Sequence, residues 1–330
     1  MKRNSAARLG FLAAVLVSTG ACSWFGASDS NKTGPIATSG GTSGTGAAGS
    51  GGAIAGGTGG NGGSKPCGSD SGSPMVRIAT ANGTEYCIDR TEVTQAAYAK
   101  FLASVTSKPG SEHDACGTNS TYEPKQVPSG LGWEPAGDCE VGQGWTPETT
   151  PAKPVVCVDW CDAYAYCAWA GKRLCGKIGG GALVASPGTI GNPDVSDPAT
   201  DPSASQWYSA CTQGGKTAFP YGDSYDPQAC EGADSAKSDT GTWSKKDVAA
   251  RIGCRGSGSA YSSIFDMSGS VFEHTDECLL DTTSPGPVWV CAMRGGAYDT
   301  FAELMNCKSY ATGSRERAQQ DIGFRCCADG

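Results

Sequence analysis

The sequence predicts an irregular, loop-rich α+β domain stapled by disulfides, with little regular secondary structure. Three observations lead there. Seventeen cysteines stand beside only two histidines in 330 residues. Helically spaced apolar residues occur in three short stretches, and the other apolar pieces are brief and separated by Gly, Pro, Asp and Ser. The stretches 106–154 and 176–202 read as long loops, which are rare in a compact domain unless something pins them.

In chain order, residues 1–21 read as a signal peptide. Lys2, Arg3 and Arg8 precede an apolar run over 9–17, and Ser18, Thr19, Gly20 and Ala21 lead into Cys22. The run is too short to span a bilayer as a mature helix. Small residues just before a cysteine resemble a bacterial lipoprotein signal, in which that cysteine is acylated. Thr19 stands where a larger aliphatic residue is usual, and cleavage after Ala21 with Cys22 unmodified is the alternative. Setting Cys22 aside leaves sixteen cysteines, an even number that suits eight bridges in an oxidising compartment. The expected location is the bacterial cell envelope: outer membrane by a lipid anchor on Cys22, or the periplasm or cell surface.

Residues 22–73 are mostly Gly, Ser, Thr and Ala and read as a flexible tether, because they offer too little apolar surface to offset the entropy of ordering. Such a chain spans roughly 40 Å root-mean-square. Within it, Gly44-Thr45-Gly46-Ala47-Ala48-Gly49 matches a dinucleotide-binding fingerprint, but no strand precedes it and no amphipathic helix follows. The match is an accident of composition.

Residues 74–330 are long enough for one folded domain with a large core. Thr94 is placed to cap a first helix, with Val93 and Tyr98 as its hydrophobic staple and Ala97, Tyr98, Phe101, Leu102 and Val105 as its apolar face. Asp159 is placed to cap a second helix from Trp160 to Ala170, stopped by Gly171. Ser203 is the expected cap of a short third helix carrying Trp207 and Cys211 and ending at Gly214-Gly215. Cys116 and Cys139 are placed to pin the first long loop. The net charge of −8 argues against nucleic acid as a partner, because displacing counterions from phosphates needs a basic surface.

Eight pieces, in order, carry a resemblance. They are Ile88-Asp89-Arg90-Thr91-Glu92-Val93-Thr94, Pro154-Val155-Val156, Asp159-Trp160 through Ala170-Gly171-Lys172-Arg173-Leu174, and Gln206-Trp207-Tyr208 with Gly214-Gly215. After them come Pro220-Tyr221-Gly222, Asp266-Met267-Ser268-Gly269-Ser270-Val271-Phe272-Glu273, Arg294-Gly295-Gly296 and Ile322-Gly323-Phe324-Arg325-Cys326. Together they resemble the formylglycine-generating enzyme (sulfatase-modifying factor) family over nearly all of 74–328. The resemblance implies a loop-rich variant of the C-type-lectin fold. It also implies chemistry in which molecular oxygen and copper(I), held by active-site thiolates, oxidise a sulfatase cysteine to formylglycine.

The sequence departs from that pattern at the site itself. Family members carry two cysteines five positions apart shortly after the Arg-Gly-Gly piece, yet no cysteine lies between Cys291 and Cys307. Counting forward puts Thr300 at the first position, and counting back from Cys307 puts Ala302 at the second. A hydroxyl and a methyl cannot replace thiolates toward a soft copper(I) ion, so copper is not expected. The resemblance assigns Cys307 to a structural bridge with Cys211, against a catalytic role, and pairs Cys167 with Cys326.

By the same resemblance, Asp266, Gly269, Val271 and Glu273 match a structural calcium site, two carboxylates and two carbonyls around a hard cation. A turn with solvated acids is the alternative. No Cys-x-x-Cys occurs, which favours disulfides over zinc, and proximity alone suggests Cys278 with Cys291 and Cys230 with Cys254. His113 and His274 cannot build a three-histidine iron site, and His274 reads as a packing or solvated residue. The tryptophans read as core, with Trp133 and Trp145 the best candidates for an exposed binding surface. The expectation is a non-catalytic binding or structural module for an unknown envelope ligand or protein. The competing class is an oxygen-dependent oxidase with an altered site.

Overall fold

Arg325 is the one residue between two strands that belong to different sheets, and the architecture follows from that joint. The computed structural model describes residues 67, 71–126, 139, 144–183, 197–235, 244–282 and 286–330. Residues 1–21, read above as a signal peptide, Cys22, the fingerprint at 44–49 and Trp133 lie outside the described residues. Among the described residues, the first sheet has the order β1-β2-β8-β3, built from β1 (Met75–Ala79), β2 (Glu85–Asp89), β3 (Arg173–Leu174) and β8 (Cys326–Asp329). The second has the order β6-β5-β4-β7, built from β4 (Phe272–Asp281), β5 (Val288–Arg294), β6 (Tyr310–Ser314) and β7 (Ile322–Phe324). Pairing is antiparallel except for β4 with β7, and β4 carries an irregularity between His274 and Cys278.

The helices sit where their caps place them. Helix α1 (Gln95–Ser104) starts at Thr94, whose side chain accepts from the Ala97 amide. Val93 and Tyr98 are both fully buried, and the Val93 amide donates to Phe324, fastening the helix start to β7. Helix α2 (Trp160–Trp169) has a full capping box: Asp159 accepts from Cys161 and Asp162, and Asp162 accepts from the Asp159 amide. Ala170 ends it, and Gly171 follows at φ 69° in the left-handed region. Helix α3 (Gln206–Cys211) corrects one expectation, because its cap is Ser205, which accepts from Tyr208. Ser203 lies two residues upstream and bonds through both its amide and its hydroxyl to Asp201, closing a turn instead.

The largest apolar cluster joins α1, α2 and β7. Tyr98 stacks on Tyr166 at 5.7 Å, and Tyr166 meets Phe324 edge-on at 5.3 Å. Trp145 packs edge-on against Tyr98, which makes it part of this core. A second cluster lies under the first sheet, with Ile78, Tyr86, Ile88 and Trp207. His274 is buried, and its Nε2 lies 3.3 Å from the Val158 carbonyl.

Eight disulfides hold the loops between these elements. Cys116–Cys161 and Cys139–Cys157 tie the first long loop to α2 and to the chain just before it. Cys167–Cys326 and Cys175–Cys327 tie α2 and the end of β3 to β8, across 159 and 152 residues. Cys211–Cys307, Cys230–Cys254 and Cys278–Cys291 complete the rest of the domain. Cys67, within the Gly/Ser-rich segment, bonds to Cys87 of β2. No helix among the described residues is long and apolar enough to cross a membrane.

Two predictions follow from this framework. Replacing both Cys167 and Cys326 with serine is expected to lower unfolding free energy by about 2–4 kcal/mol, read by urea denaturation. The second concerns pH. Burial, with Asp159 beside it, pushes the Asp162 carboxyl from 3.8 up to about 8. A carboxyl raised on folding contributes stability that is complete below about pH 3.8 and lost as pH rises through about 8. His274 runs the other way. Burial holds it down at about 4 from 6.5, so its contribution is complete above 6.5 and lost as pH falls through about 4. Melting temperature is therefore expected to drop between pH 6.5 and 8.5, and Asp162→Asn should flatten that slope.

Candidate functional site

The loop from Asp266 into β4 is tightly wound, with Asp266, Gly269 and Ser270 at φ 59°, 78° and 63°. Gly269 is required there twice over. Its backbone is left-handed, and a Cβ would overlap the carbonyl oxygen of Glu231. The loop is anchored by backbone bonds from Gly269 to Gly295 (2.7 Å) and from Ser270 to Glu231 (2.8 Å), and by the Ser268 hydroxyl donating to Met305. Asp266 accepts from the Ala249 amide at 2.5 Å.

Glu273 leaves this loop on β4 and meets Arg325. The guanidinium donates from Nε (2.7 Å) and Nη2 (2.6 Å) to the two carboxylate oxygens, and the Trp207 indole donates to Oε2 at 2.8 Å. Arg325 also donates to the carbonyls of Phe265 (2.9 Å) and Asp89 (3.2 Å). Burial works against its charge, but the surrounding carboxylates outweigh that effect and its pKa lies above the ordinary value. Neighbouring acids are in excess. Burial holds Asp266 at about 6. Glu92 is fully buried, neither of its carboxylate oxygens has a hydrogen-bond partner, and burial plus the Asp266 charge push its pKa well up.

The residues fit a hard cation in part through that excess. Oε1 of Glu273 accepts from Arg325 and has a second lone pair, Asp266 is committed only through Oδ2 to Ala249, and Glu92 is an orphaned carboxylate on which the Asp266 charge acts. Among the described residues, no group of three or more Asp, Glu, His or Cys side chains forms a metal cage. A calcium ion here would therefore draw on the carbonyls of Gly269 and Val271 as well as on Asp266 and Glu273.

The segment after β5 occupies the place of the expected redox site. Thr300 is buried, and its hydroxyl accepts from the Ala297 amide at 2.8 Å while its own amide donates to the Ala297 carbonyl, so the group closes a turn. Ala302 begins a 3-10 turn, Ala302–Leu304, and brings only a methyl. Cys307 is bonded to Cys211, and all sixteen cysteines among the described residues are bridged. Beside this segment, the Lys245 ammonium lies 4.9 Å from the centre of the Tyr298 ring and is held down at about 8, chiefly by burial.

Sequence reasoning passed over Glu92, Glu231, Arg325 and Lys245 as site residues. Glu92 and Arg325 stand inside two of the eight matching pieces, so the signal was present. Nothing in the spacing showed that the two converge on Asp266 and Glu273.

A family model described as Sulfatase-modifying factor enzyme 1-like domain matches residues 40–330. Among solved structures, CarF is 21% identical, with 80% of this chain and 96% of that chain covered at a TM-score of 0.43. PvdO from Pseudomonas aeruginosa is 15% identical, with 78% and 92% covered at 0.46. Variable protein 1 of Treponema denticola is 17% identical, with 78% and 95% covered at 0.43. No curated protein matches.

Glu273→Gln leaves the Arg325 guanidinium buried without its counter-ion. Removing one partner of a buried pair is expected to cost about 3–5 kcal/mol, read as a lower midpoint of denaturant unfolding.

Proposed function

The chain belongs to the sulfatase-modifying factor enzyme 1-like family and has its C-type-lectin-like fold, and from that premise we propose that it is a non-catalytic binding module of the cell envelope. The observation that carries the reading is the bridged state of every described cysteine, together with Thr300 and Ala302 at the positions where thiolates would stand. Copper(I) needs soft donors, and this segment supplies a hydroxyl engaged in a turn and a methyl. The reading includes export, acylation of Cys22 and calcium in the Asp266–Glu273 loop. Eight bridges support export, since a reducing cytosol would not maintain them. Calcium is supported by the surplus of buried carboxylate around Arg325.

Calcium there acts as a structural ion. It neutralises part of the acid excess and fixes the loop that supports the start of β4. Asp266 and Glu273 supply charge, and Gly269 and Val271 supply carbonyl oxygen.

Three measurements test the proposal. Thiol titration of the unfolded, non-reduced mature chain is expected to find no free sulfhydryl apart from Cys22 if that residue is unmodified; two clustered thiols in the domain would favour the oxidase reading. Incubation with a Cys-x-Pro-x-Arg peptide, copper(I) and oxygen is expected to give no aldehyde by mass spectrometry, and aldehyde would end the non-catalytic reading. Calcium is expected to raise the melting temperature and a chelator to lower it, with Asp266→Asn abolishing the difference.

A further inference from the structure

A cavity of about 380 Å³ opens between the start of α2, the 3-10 turn Asp114–Cys116 and the outer half of the β4–β5 hairpin. It shares no lining residue with the segment around Thr300 or with the Asp266–Glu273 loop. Three aromatic rings shape it: His113, Trp160 and Trp289. Trp160 is held rigidly. Its indole donates to the Thr275 carbonyl at 2.9 Å and its ring stacks on Tyr164 at 5.1 Å. His113 stands edge-on to Trp160 at 5.6 Å, and its Nδ1 accepts from the Ala115 amide, so the neutral ring carries its hydrogen on Nε2.

Two charged residues complete the lining, Asp276 and Arg315. The Arg315 backbone is fixed on both sides, donating to Trp289 (3.1 Å) and accepting from Trp160 (3.0 Å). Its Nε pairs with Glu316 at 3.0 Å, whereas Nη1 is buried and has no hydrogen-bond partner. Arg315 thus brings to the cavity lining a guanidinium with an unused donor, and a carboxylate is the partner that such a donor suits. Asp276 is half-buried, with Arg173 the cation acting on it and Glu277 the opposing acid; burial holds it at about 6.

The remaining wall is apolar, from Ala115, Cys278, Leu279 and Leu280. That decides between ligand classes. A pyranose would leave several hydroxyls facing carbon, and an unpaired buried hydroxyl is costly. A flat ring with one anionic group leaves nothing unpaired. The volume lies at the small end of ligand sites, room for one or two fused rings and a short chain.

We propose that this cavity binds a small aromatic carboxylate, its ring against Trp160 and Trp289, its carboxylate on Arg315, and any donor group it carries on Asp276. The inference rests on the binding-module reading and sharpens it by naming a site and a ligand class. Its test is independent of the thiol and aldehyde assays, so either can fail alone.

Calorimetric titration of the full chain with indole-3-propionate, tryptamine and N-acetylglucosamine supplies the test. Saturable binding of indole-3-propionate is expected, with tryptamine at least tenfold weaker. Arg315→Gln should weaken indole-3-propionate at least tenfold, since the carboxylate loses its charge partner. Ala182→Trp, at an exposed position of the lining, should abolish binding by plugging the mouth. Unchanged melting temperatures for both variants separate site loss from unfolding. No heat with indole-3-propionate, equal affinity for tryptamine, indifference to Arg315→Gln, or preference for the sugar would each overturn the proposal.

Discussion

The guanidinium of Arg325 joins the two sheets at their buried centre. Its backbone separates β7 from β8, and its side chain reaches β4 through Glu273, the end of β2 through the Asp89 carbonyl, and the loop at Phe265. Trp207 of α3 donates to the same Glu273. A charge buried this completely has few tolerable environments, so its partners are fixed in position by the need to satisfy it. Asp89 adds a second tie, accepting from the Cys326 amide and from Lys172, which lies just beyond α2. The polar centre therefore specifies how strands distant in sequence come together.

Around that centre the regular elements are short, and covalent links do work that a longer sheet or bundle does through hydrogen bonds. The bridges are distributed to match. Four close short segments, 13 to 24 residues apart for Cys278–Cys291, Cys139–Cys157, Cys67–Cys87 and Cys230–Cys254, while two reach across roughly half the chain to β8. Long closures restrict the unfolded chain most in the entropic description. A second buried pair, Arg294 with Glu277, places the same chemistry at the inner end of β5, where Arg294 also lies over the Tyr310 ring at 4.9 Å.

What could be read from the sequence was what is local. Thr94 and Asp159 cap helices because a cap needs only the next three amides, and Gly171 ends α2 because a left-handed residue is needed there. Ser203 shows the limit, since two serines stand within reach of α3 and the nearby Asp201 captured the first. Strand pairing was not legible. β8 lies between β2 and β3, and β7 runs parallel to β4, in contacts that no short window contains. The pairing of Cys307 with Cys211 was implied only by resemblance. Burial was the other gap. Trp145 packs on Tyr98, in line with the core reading of the tryptophans, whereas Trp289, also read as core, lines the cavity beside Trp160.

The placement of β7 and β8 has a consequence for how the chain is made. Both sheets receive a strand from residues 322–329, and Cys167 and Cys175 find their partners only in that segment. As the chain is synthesised, those two thiols emerge some 150 residues before the sulfur atoms they require. Until then Glu273 has no Arg325 guanidinium beside it, and each sheet lacks one strand. Closure of both bridges therefore waits for the last strands, and any earlier disulfide at Cys167 or Cys175 has to be exchanged before the native pairs can form.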